Sequence, residues 1–536
     1  MRSSTAVFRR VLSSSRLRRL LAAFFLFILV ELGTWVTLLV WAHDVGGAGF
    51  VGVVAAVQLV IASAAAPVLA TIGDRLPRSR ALSLSYMGMA GLTAVTGAAL
   101  LADAHPLIVL ALASLVSAAF SVARPIHASL IPDLADEPAD AVAANVVSST
   151  LEGAGGFAGP ALAGLMLVWT VPGVVFLVLM AGVAVGSVLM AGMGRVSRAG
   201  ALQAESDGGI LAAFKLLART RSQRYVVTLG AVSAVAVGAL DILAVVLAID
   251  VLGLGDSGAG YTVSLLGLGG LLGGLMAASM VGRRLAPVLV AGAALRGGAL
   301  LVLGVQPGWV LLLVASGAGF SVVDVGVRTL LQRLTAPDVM SRVFGVLESL
   351  GLAGLAVGSL AAAGLVATVG VQTALLGFGA LLPVTVLLGY RILSSADREA
   401  DVPTDVIRAL GSVALFALLA PPTLEMMARR SRIVQFEMGG TIIQEGEHSR
   451  HVLVVVEGTL EVTKGERFLA TLGAGDVVGE IAALHDVART ATVTARSDVK
   501  AISIPGEAFV SAVRGETDAW SMSSSVAGRR LAEQER

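Results

Sequence analysis

Residues 20–41 read LLAAFFLFILVELGTWVTLLVW, an apolar run interrupted by a single charge, Glu31. At about 1.5 Å per helical residue, such a run covers the roughly 30 Å hydrocarbon core of a bilayer. It is too long for the apolar region of a secretory signal peptide, and no clean small-residue cleavage site follows it, so it is expected to be a retained membrane span. The whole chain agrees. Of its 536 residues 56% are hydrophobic and only 14% charged, and the mean hydropathy is +0.87. A soluble domain carries about 25% charged residues, so much of this surface needs lipid as its solvent. The net charge of +1 gives no case for nucleic acid as a partner. The absence of cysteine excludes disulfides and thiolate metal sites.

Working outward, comparable runs occur at 49–72, 81–102, 106–130, 142–168, 172–193, 226–251, 259–281, 286–305, 308–331, 343–368 and 371–393. Together with 20–42 they predict twelve spans. Lys and Arg crowd one set of connections: the N-terminus with six Arg, the 2–3 loop with Arg75, Arg78 and Arg80, the long 6–7 connection, Arg283 and Arg284, then Arg333 and Arg342. The opposite set, such as HDVGGAG at 43–49 and GVQPG at 304–308, has none. That bias places both termini and the 6–7 connection in the cytoplasm of a plasma-membrane protein. The 4–5 connection is acidic (Asp133, Asp136, Glu137, Asp140), but acids contribute little to the rule.

The two sets of six spans echo each other. Phe120-Ser121-Val122 returns as Phe320-Ser321-Val322, and Ala163-Gly164-Leu165 as Ala363-Gly364-Leu365. The pattern predicts parallel six-helix repeats related by an axis along the membrane normal. The expected organisation is therefore a first half at 1–193, a cytoplasmic connection at 194–225 and a second half at 226–393. A polar linker, SSADREADVPTD, follows at 394–405, and a soluble domain at 406–536. In that domain residues 406–430 read as helical. From 432 to 505 short β-rich runs alternate with glycines, the spacing of a β-roll, and a helical pattern returns from about Gly506.

Residues 70–80, ATIGDRLPRSR, resemble the 2–3 loop signature of the major facilitator superfamily, G-x-x-x-D-R-x-G-R-[RK]. Asp74, Arg75 and Arg78 match. Ala70 and Pro77 replace glycines and Ser79 replaces a base. The resemblance implies a gating loop whose aspartate faces a helix N-terminus of the other half, while an arginine pairs with acids ending span 4, here Asp133 or Asp136. Gly155 to Gly164, with Gly159-Pro160 inside, resembles the span-5 signature of the family's exporters, Ala163 standing for one glycine. Ordinary close packing of small residues explains the same stretch without any function. The likeness covers residues 20–393 and points to the drug-export branch, with all-α architecture.

Charges inside spans are costly and usually functional. Glu31, Glu152 and Asp241 lie near mid-depth in spans 1, 5 and 7, which line the central cavity in that family. An acid without a full partner there favours its protonated form, so Glu31 and Asp241 lead as proton carriers. Asp324 and Arg328, four apart on span 10, suit mutual neutralisation, while Arg124 is the repeat counterpart of Asp324 and suits a pair across the symmetry axis. Glu348 lies nearer the cytoplasm, and Arg296, in a span peripheral in the family, has no assigned role.

In the soluble part, Val478-Gly479-Glu480-Ile481-Ala482-Ala483-Leu484 followed by Ala488-Arg489-Thr490-Ala491 resembles the phosphate-binding cassette of cyclic-nucleotide-binding domains. Val478 replaces a Phe and Ala488 a Pro. The resemblance covers about residues 410–535 and makes Gly479, Glu480, Ile481, Ala482, Arg489, Thr490 and Ala491 the expected ligand residues. Arg489 suits a cyclic phosphate through a charge-assisted pair, and backbone N–H groups near Ala482 suit the same anion. Glu480 suits the ribose hydroxyl, and Thr490 a further contact to phosphate or base. A degenerate domain that binds nothing is the bland alternative. Thr490 leaves cAMP and cGMP open, and the bacterial character of the chain favours cAMP.

These readings converge on a proton-coupled exporter of a hydrophobic or amphipathic small molecule, tuned by cytoplasmic cyclic nucleotide. A lipid translocase of the same fold and a membrane-tethered receptor without transport are the alternatives. No catalytic triad, metal cluster or Walker loop is present in the sequence, so an enzyme is not expected. With a linker of a dozen residues, the β-roll must hang close to the 2–3, 6–7 or 10–11 loops.

Overall fold

The computed structural model describes residues 11, 13–73, 77–135, 138–193, 220–277, 284–335, 339–400, 404–419, 421–485, 487–514 and 523. The apolar runs fold as α1 (Ser15–Gly73), α2 (Arg78–Leu101), α3 (Pro106–Leu134), α4 (Pro138–Leu167), α5 (Pro172–Ala191), α6 (Arg221–Val246), α7 (Gly255–Ala277), α8 (Leu285–Val305), α9 (Leu312–Leu334) and α10 (Met340–Leu388). A π-helical turn, Leu247–Val251, extends α6. The longest two are interrupted: α1 leaves helical geometry at Gly46 and Gly47, and α10 at Gly370. The runs expected at 20–42 and 49–72 lie on either side of the first break, and the last two runs on either side of the second. Nine helices among the described residues, the two interrupted ones included, are long and apolar enough to cross a membrane. Between α1 and α7 packs α4, with Glu152 and Pro160 inside it.

Many large apolar side chains stand on the outside of this bundle. Val188, Leu311 and Leu388 stand well exposed, as do Trp169 and Trp309 in two connections. Water would penalise such a surface, whereas lipid tails solvate it and tryptophan favours the interface. One apolar cluster gathers Phe27, Tyr86, Phe120 and Phe176 with parts of α6 and α10, and a second forms around Leu229, Leu289, Val323 and Val346. Small residues let the helices touch. A Cβ on Gly159 would lie 2.5 Å from the Leu29 carbonyl oxygen, so the α1–α4 approach requires glycine there. Gly164 meets Ser257 and Gly260 of α7 in the same way. The halves also meet where His43 Nε2 lies 3.1 Å from Asp250 Oδ1 and where Gly52 abuts Ser359 and Ala363. The His43–Asp250, Gly52–Ser359 and Gly164–Gly260 contacts lie near the helix ends remote from the soluble domain, while α4 and α7 stay in touch through Gly156–Gly267 and Gly153–Leu271 toward their middles.

The stretch expected as a polar linker is instead largely helix: α11 (Tyr390–Glu399) docks against the bundle. Leu393, Ala396 and Ala400 are buried in the second cluster. Asp397 Oδ1 accepts from the Leu285 N–H (2.8 Å), satisfying a free donor at the start of α8, and Ser222 donates to Glu399 Oε2 (2.7 Å). Its polar residues are capping groups, which composition alone cannot distinguish from solvated linker.

The soluble domain opens with α12 (Thr404–Gly411), a 3₁₀ turn at Phe416–Leu418 and α13 (Pro421–Arg430). Strands β1 (Arg432–Phe436), β2 (Thr441–Ile443), β3 (Val452–Glu457), β4 (Leu460–Lys464), β5 (Arg467–Leu472) and β6 (Val477–Val478) follow. A six-residue α14 (Glu480–His485), β7 (Thr492–Ala495), β8 (Val499–Ile504) and α15 (Gly506–Arg514) complete it. Two antiparallel sheets result, ordered β1-β8-β3-β6 and β2-β7-β4-β5. Strand alternation divides β3 between two cores: Leu453 and Val455 face the space between the sheets, while Val452 and Val454 pack with Phe416, Met427 and Phe509.

Candidate functional site

Two sites and one seam carry the chemistry. The first is a pocket of about 190 Å³ in the β-roll. All seven cassette residues, from Gly479 to Ala491, line it, because β6 delivers the chain to Gly479 and β7 carries it away after Ala491. Gly479 has φ +85, and a Cβ there would collide with the Arg489 guanidinium, so both conformation and space demand glycine. Glu480, the first residue of α14, and Arg489 are buried. Arg489 Nη1 donates to the Gly479 carbonyl (3.1 Å), and Nη2 donates to the His451 carbonyl (2.6 Å) and to Ser449 Oγ (3.3 Å). Its Nε is buried with no hydrogen-bond partner. Burial pushes this guanidinium below its usual range, and the charges of Glu447 and Glu480 oppose that shift. A held, desolvated cation with a spare donor beside backbone glycine fits a cyclic phosphate. The sequence reading missed the opposite wall, Val462, Phe468, Leu469, Ala470 and Leu472 on β4 and β5. Its alternating apolar residues look like ordinary strand core until the sheet is assembled.

The second site is a cavity of about 760 Å³ inside the helical bundle, with walls from both halves. Glu152, Asp241, Asp324 and Arg328 line it. Arg124 donates to Glu31 Oε2 (2.6 Å) and to Glu152 Oε1 (2.5 Å). Arg328 donates to Asp324 Oδ2 (3.0 Å) and to Glu348 Oε1 (2.5 Å). Each half thus builds its own cluster of one cation and two acids. This corrects two expectations. The cross-axis pair of Arg124 with Asp324 is not made, because each arginine finds its acids within its own half, Arg328 taking Asp324 from one turn back on α9 itself. Glu31 is not an acid short of a partner, since Arg124 holds it. Asp241 keeps that character more nearly: its hydrogen bond comes from Trp35, and Arg296 acts on it through charge.

Arg296 also lines the cavity, although α8 was expected to be peripheral. The approach of α9 explains this. Gly319 lies against the Arg296 backbone, where a Cβ would be 2.6 Å from its nitrogen, and the side chain passes to within 5.2 Å of the Phe320 ring centre. The available signal was an arginine midway along an apolar span. Of the gating loop, Asp74 and Arg75 lie outside the described residues, as does Asp136. Arg78 donates to Asp133 Oδ2 (2.7 Å) and to the Ser129 carbonyl (3.2 Å), joining α2 to the end of α3.

The seam joins the two sites. Arg333, in the last turn of α9, meets Glu425 of α13 in a bidentate pair, Nε to Oε1 at 2.7 Å and Nη2 to Oε2 at 2.9 Å. Both residues are buried. Arg429 of α13 donates to the Arg333 carbonyl. The soluble domain is thereby fixed to the helix that carries Asp324 and Arg328, next to the 10–11 connection.

A family model described as Major Facilitator Superfamily matches residues 20–347, and one described as Cyclic nucleotide-binding domain matches residues 433–515. Human cGMP-dependent protein kinase 2 is 37% identical over 79 residues, 15% of this chain and 10% of that protein. The cGMP-dependent protein kinase of Eimeria tenella is 32% identical over 102 residues, 19% of this chain and 10% of the kinase. The chain therefore spans a tenth of the length of these curated relatives. Among solved structures, the regulatory domain of Toxoplasma gondii PKA with cAMP is 22% identical with a TM-score of 0.23, covering 25% of this chain and 55% of that one. The regulatory subunit of a cAMP-independent protein kinase A from Trypanosoma brucei is 23% identical with a TM-score of 0.21, covering 22% and 46%.

Proposed function

The chain belongs to the Major Facilitator Superfamily and carries a cyclic nucleotide-binding domain, and on that premise we propose that it is a secondary transporter whose flux is set by cyclic nucleotide on the cytoplasmic side. In this reading twelve spans in two six-helix repeats enclose the central cavity in the plasma membrane, with both termini inside. The substrate is a hydrophobic or amphipathic small molecule, since apolar side chains such as Leu32, Trp35 and Leu266 form much of the wall. Proton-coupled export is the working mode, with Asp241 as the leading carrier.

The observation that carries the regulatory reading is the buried Arg333–Glu425 pair. A cavity-lining helix and the opening helix of the β-roll cannot move apart without desolvated charges losing their partners. Nucleotide bound at Arg489 and Glu480 shifts the inward–outward balance by whatever difference in affinity the two states have, typically about 1–3 kcal/mol. The proposed ligand is cAMP. The curated relatives named as cGMP-dependent kinases favour cGMP as the second reading.

The test is substrate flux in vesicles with cAMP, cGMP or neither on the β-roll side, beside Glu480→Ala. The expected result is a change of flux with one nucleotide that the variant loses. Equal flux under all conditions, with binding verified by calorimetry, would make the module a tether or docking site.

A further inference from the structure

Arg296 poses a problem that the transporter must solve. It stands midway along the 21-residue α8, where a charged group is costly. It is 2% exposed, and its Nε and Nη1 are buried with no hydrogen-bond partner. The other cavity arginine, Arg328, is held by Asp324 and Glu348, and Arg124 is held by Glu31 and Glu152. Asp241 is the carboxylate whose charge acts on Arg296, yet it takes its hydrogen bond from Trp35. The Phe320 ring flanks the guanidinium and supplies attraction without accepting a conventional hydrogen bond. Two nitrogens of this planar guanidinium, desolvated and without a hydrogen-bond partner, therefore lie buried in the wall of an interior space of about 760 Å³. That volume lies within the range of small-molecule sites, roughly 300–1,000 Å³.

We propose that Arg296 is the head-group receptor of the central cavity, and that the transported molecule is an amphipathic oxyanion bearing a carboxylate, phosphate or sulfonate. The proposal rests on the transport reading above and narrows its substrate class. Two acceptor oxygens of such a head match the guanidinium fork, a bidentate arrangement that a neutral or cationic group cannot reproduce. Trp35, Leu32, Leu240, Leu266 and Phe320 supply the apolar wall for the rest of the molecule. The paired clusters of Arg124 and Arg328 select against a second acidic group, because their arginines are already occupied. Asp241, beside Arg296, sets the local charge that the incoming anion must displace or share.

The test uses the full chain in detergent micelles with saturating cAMP, so that the β-roll pocket is filled. Dansyl-undecanoic acid and its methyl ester share one body and differ in the anionic head. Energy transfer from tryptophan to the dansyl group reports binding, and the part lost in Trp35→Phe is the cavity signal, since four further tryptophans of the chain also transfer. The acid is expected to bind at least about tenfold more tightly than the ester, the factor appropriate to one charge-assisted contact. Arg296→Gln should erase that preference, and Arg296→Lys should keep part of it. Equal binding of acid and ester by the unmodified protein overturns the head-group assignment while leaving the cavity reading intact, and needs no variant to fold. An undiminished preference in a folded Arg296→Gln protein overturns it as well. Binding of neither probe overturns the amphipathic substrate class and this proposal with it, whereas the nucleotide-dependent flux experiment tests the regulatory reading separately.

Discussion

Replacing Glu425 with leucine puts the seam under direct strain. The Arg333 side chain is 3% exposed and that of Glu425 11%, and the pair is joined by one hydrogen bond, Nη2 to Oε2 at 2.9 Å, and a 2.7 Å ion contact from Nε to Oε1. Removing one partner of such a buried pair leaves an uncompensated charge, at a cost of about 3–5 kcal/mol. Here the cost has an upper bound, because α13 can lift away and let water reach Arg333. Glu425→Leu is therefore expected to shift the docked–undocked equilibrium of the soluble domain by about two to three powers of ten. Arg333→Met combined with Glu425→Leu should recover most of this, since an apolar pair of similar volume is often as good as the ion pair it replaces. Hydrogen exchange in full-length protein reads the docking as protection of α13, and vesicle flux with and without cAMP reads the coupling. Undocking with loss of the nucleotide response, and recovery of both in the double variant, is the expected outcome. Undocking with an unchanged nucleotide response would refute coupling through this seam. Unchanged protection would refute the magnitude.

Arg489→Ala should weaken cAMP binding by about 1.5–3 kcal/mol, measured by titration calorimetry; unchanged affinity would remove Arg489 from the site. Gly479→Ala should weaken binding as well, because φ +85 and the Arg489 guanidinium both oppose a Cβ, and the domain's melting point should fall with it. Asp241→Asn should reduce the response of flux to an imposed pH gradient more than Glu31→Gln does, since Arg124 already holds Glu31; equal full responses in proteoliposomes would end proton coupling through either acid. Gly159→Val should lower thermal stability by forcing α4 off the Leu29 carbonyl of α1, and an unchanged melting curve would mean that the helices part without cost.

Membrane insertion was legible in the sequence because hydropathy adds along the chain: a run such as 20–41 has to meet lipid whatever it packs against. The cassette from Gly479 to Ala491 was legible for a related reason. The residues that line the pocket there are nearly contiguous, so local spacing already fixes their relation. The β-roll strands showed themselves as short β-rich runs set off by glycines, as in VLVVVE at 452–457 before Gly458, a continuous apolar run whose two faces both proved to be covered.

Lateral pairing inside the bundle was a different matter, and only the tertiary structure decided it. A helix that is apolar all round carries no amphipathic stripe to say which side faces the cavity, so rotation and neighbours stay open. Arg124 had plausible acids in both halves, and helix placement selected Glu31 and Glu152. Arg296 looked peripheral until Gly319 brought α9 close enough for the side chain to reach the central space. The polar stretch after Tyr390 passed for linker because capping groups and solvated groups have the same composition; the Leu285 N–H and Ser222 hydroxyl turned Asp397 and Glu399 into anchors. The Arg333–Glu425 pair joins residues 92 apart in sequence, and no local pattern marks either as the other's partner. Properties that sum over neighbouring residues were readable in the chain, whereas those that depend on which distant surfaces meet required the fold.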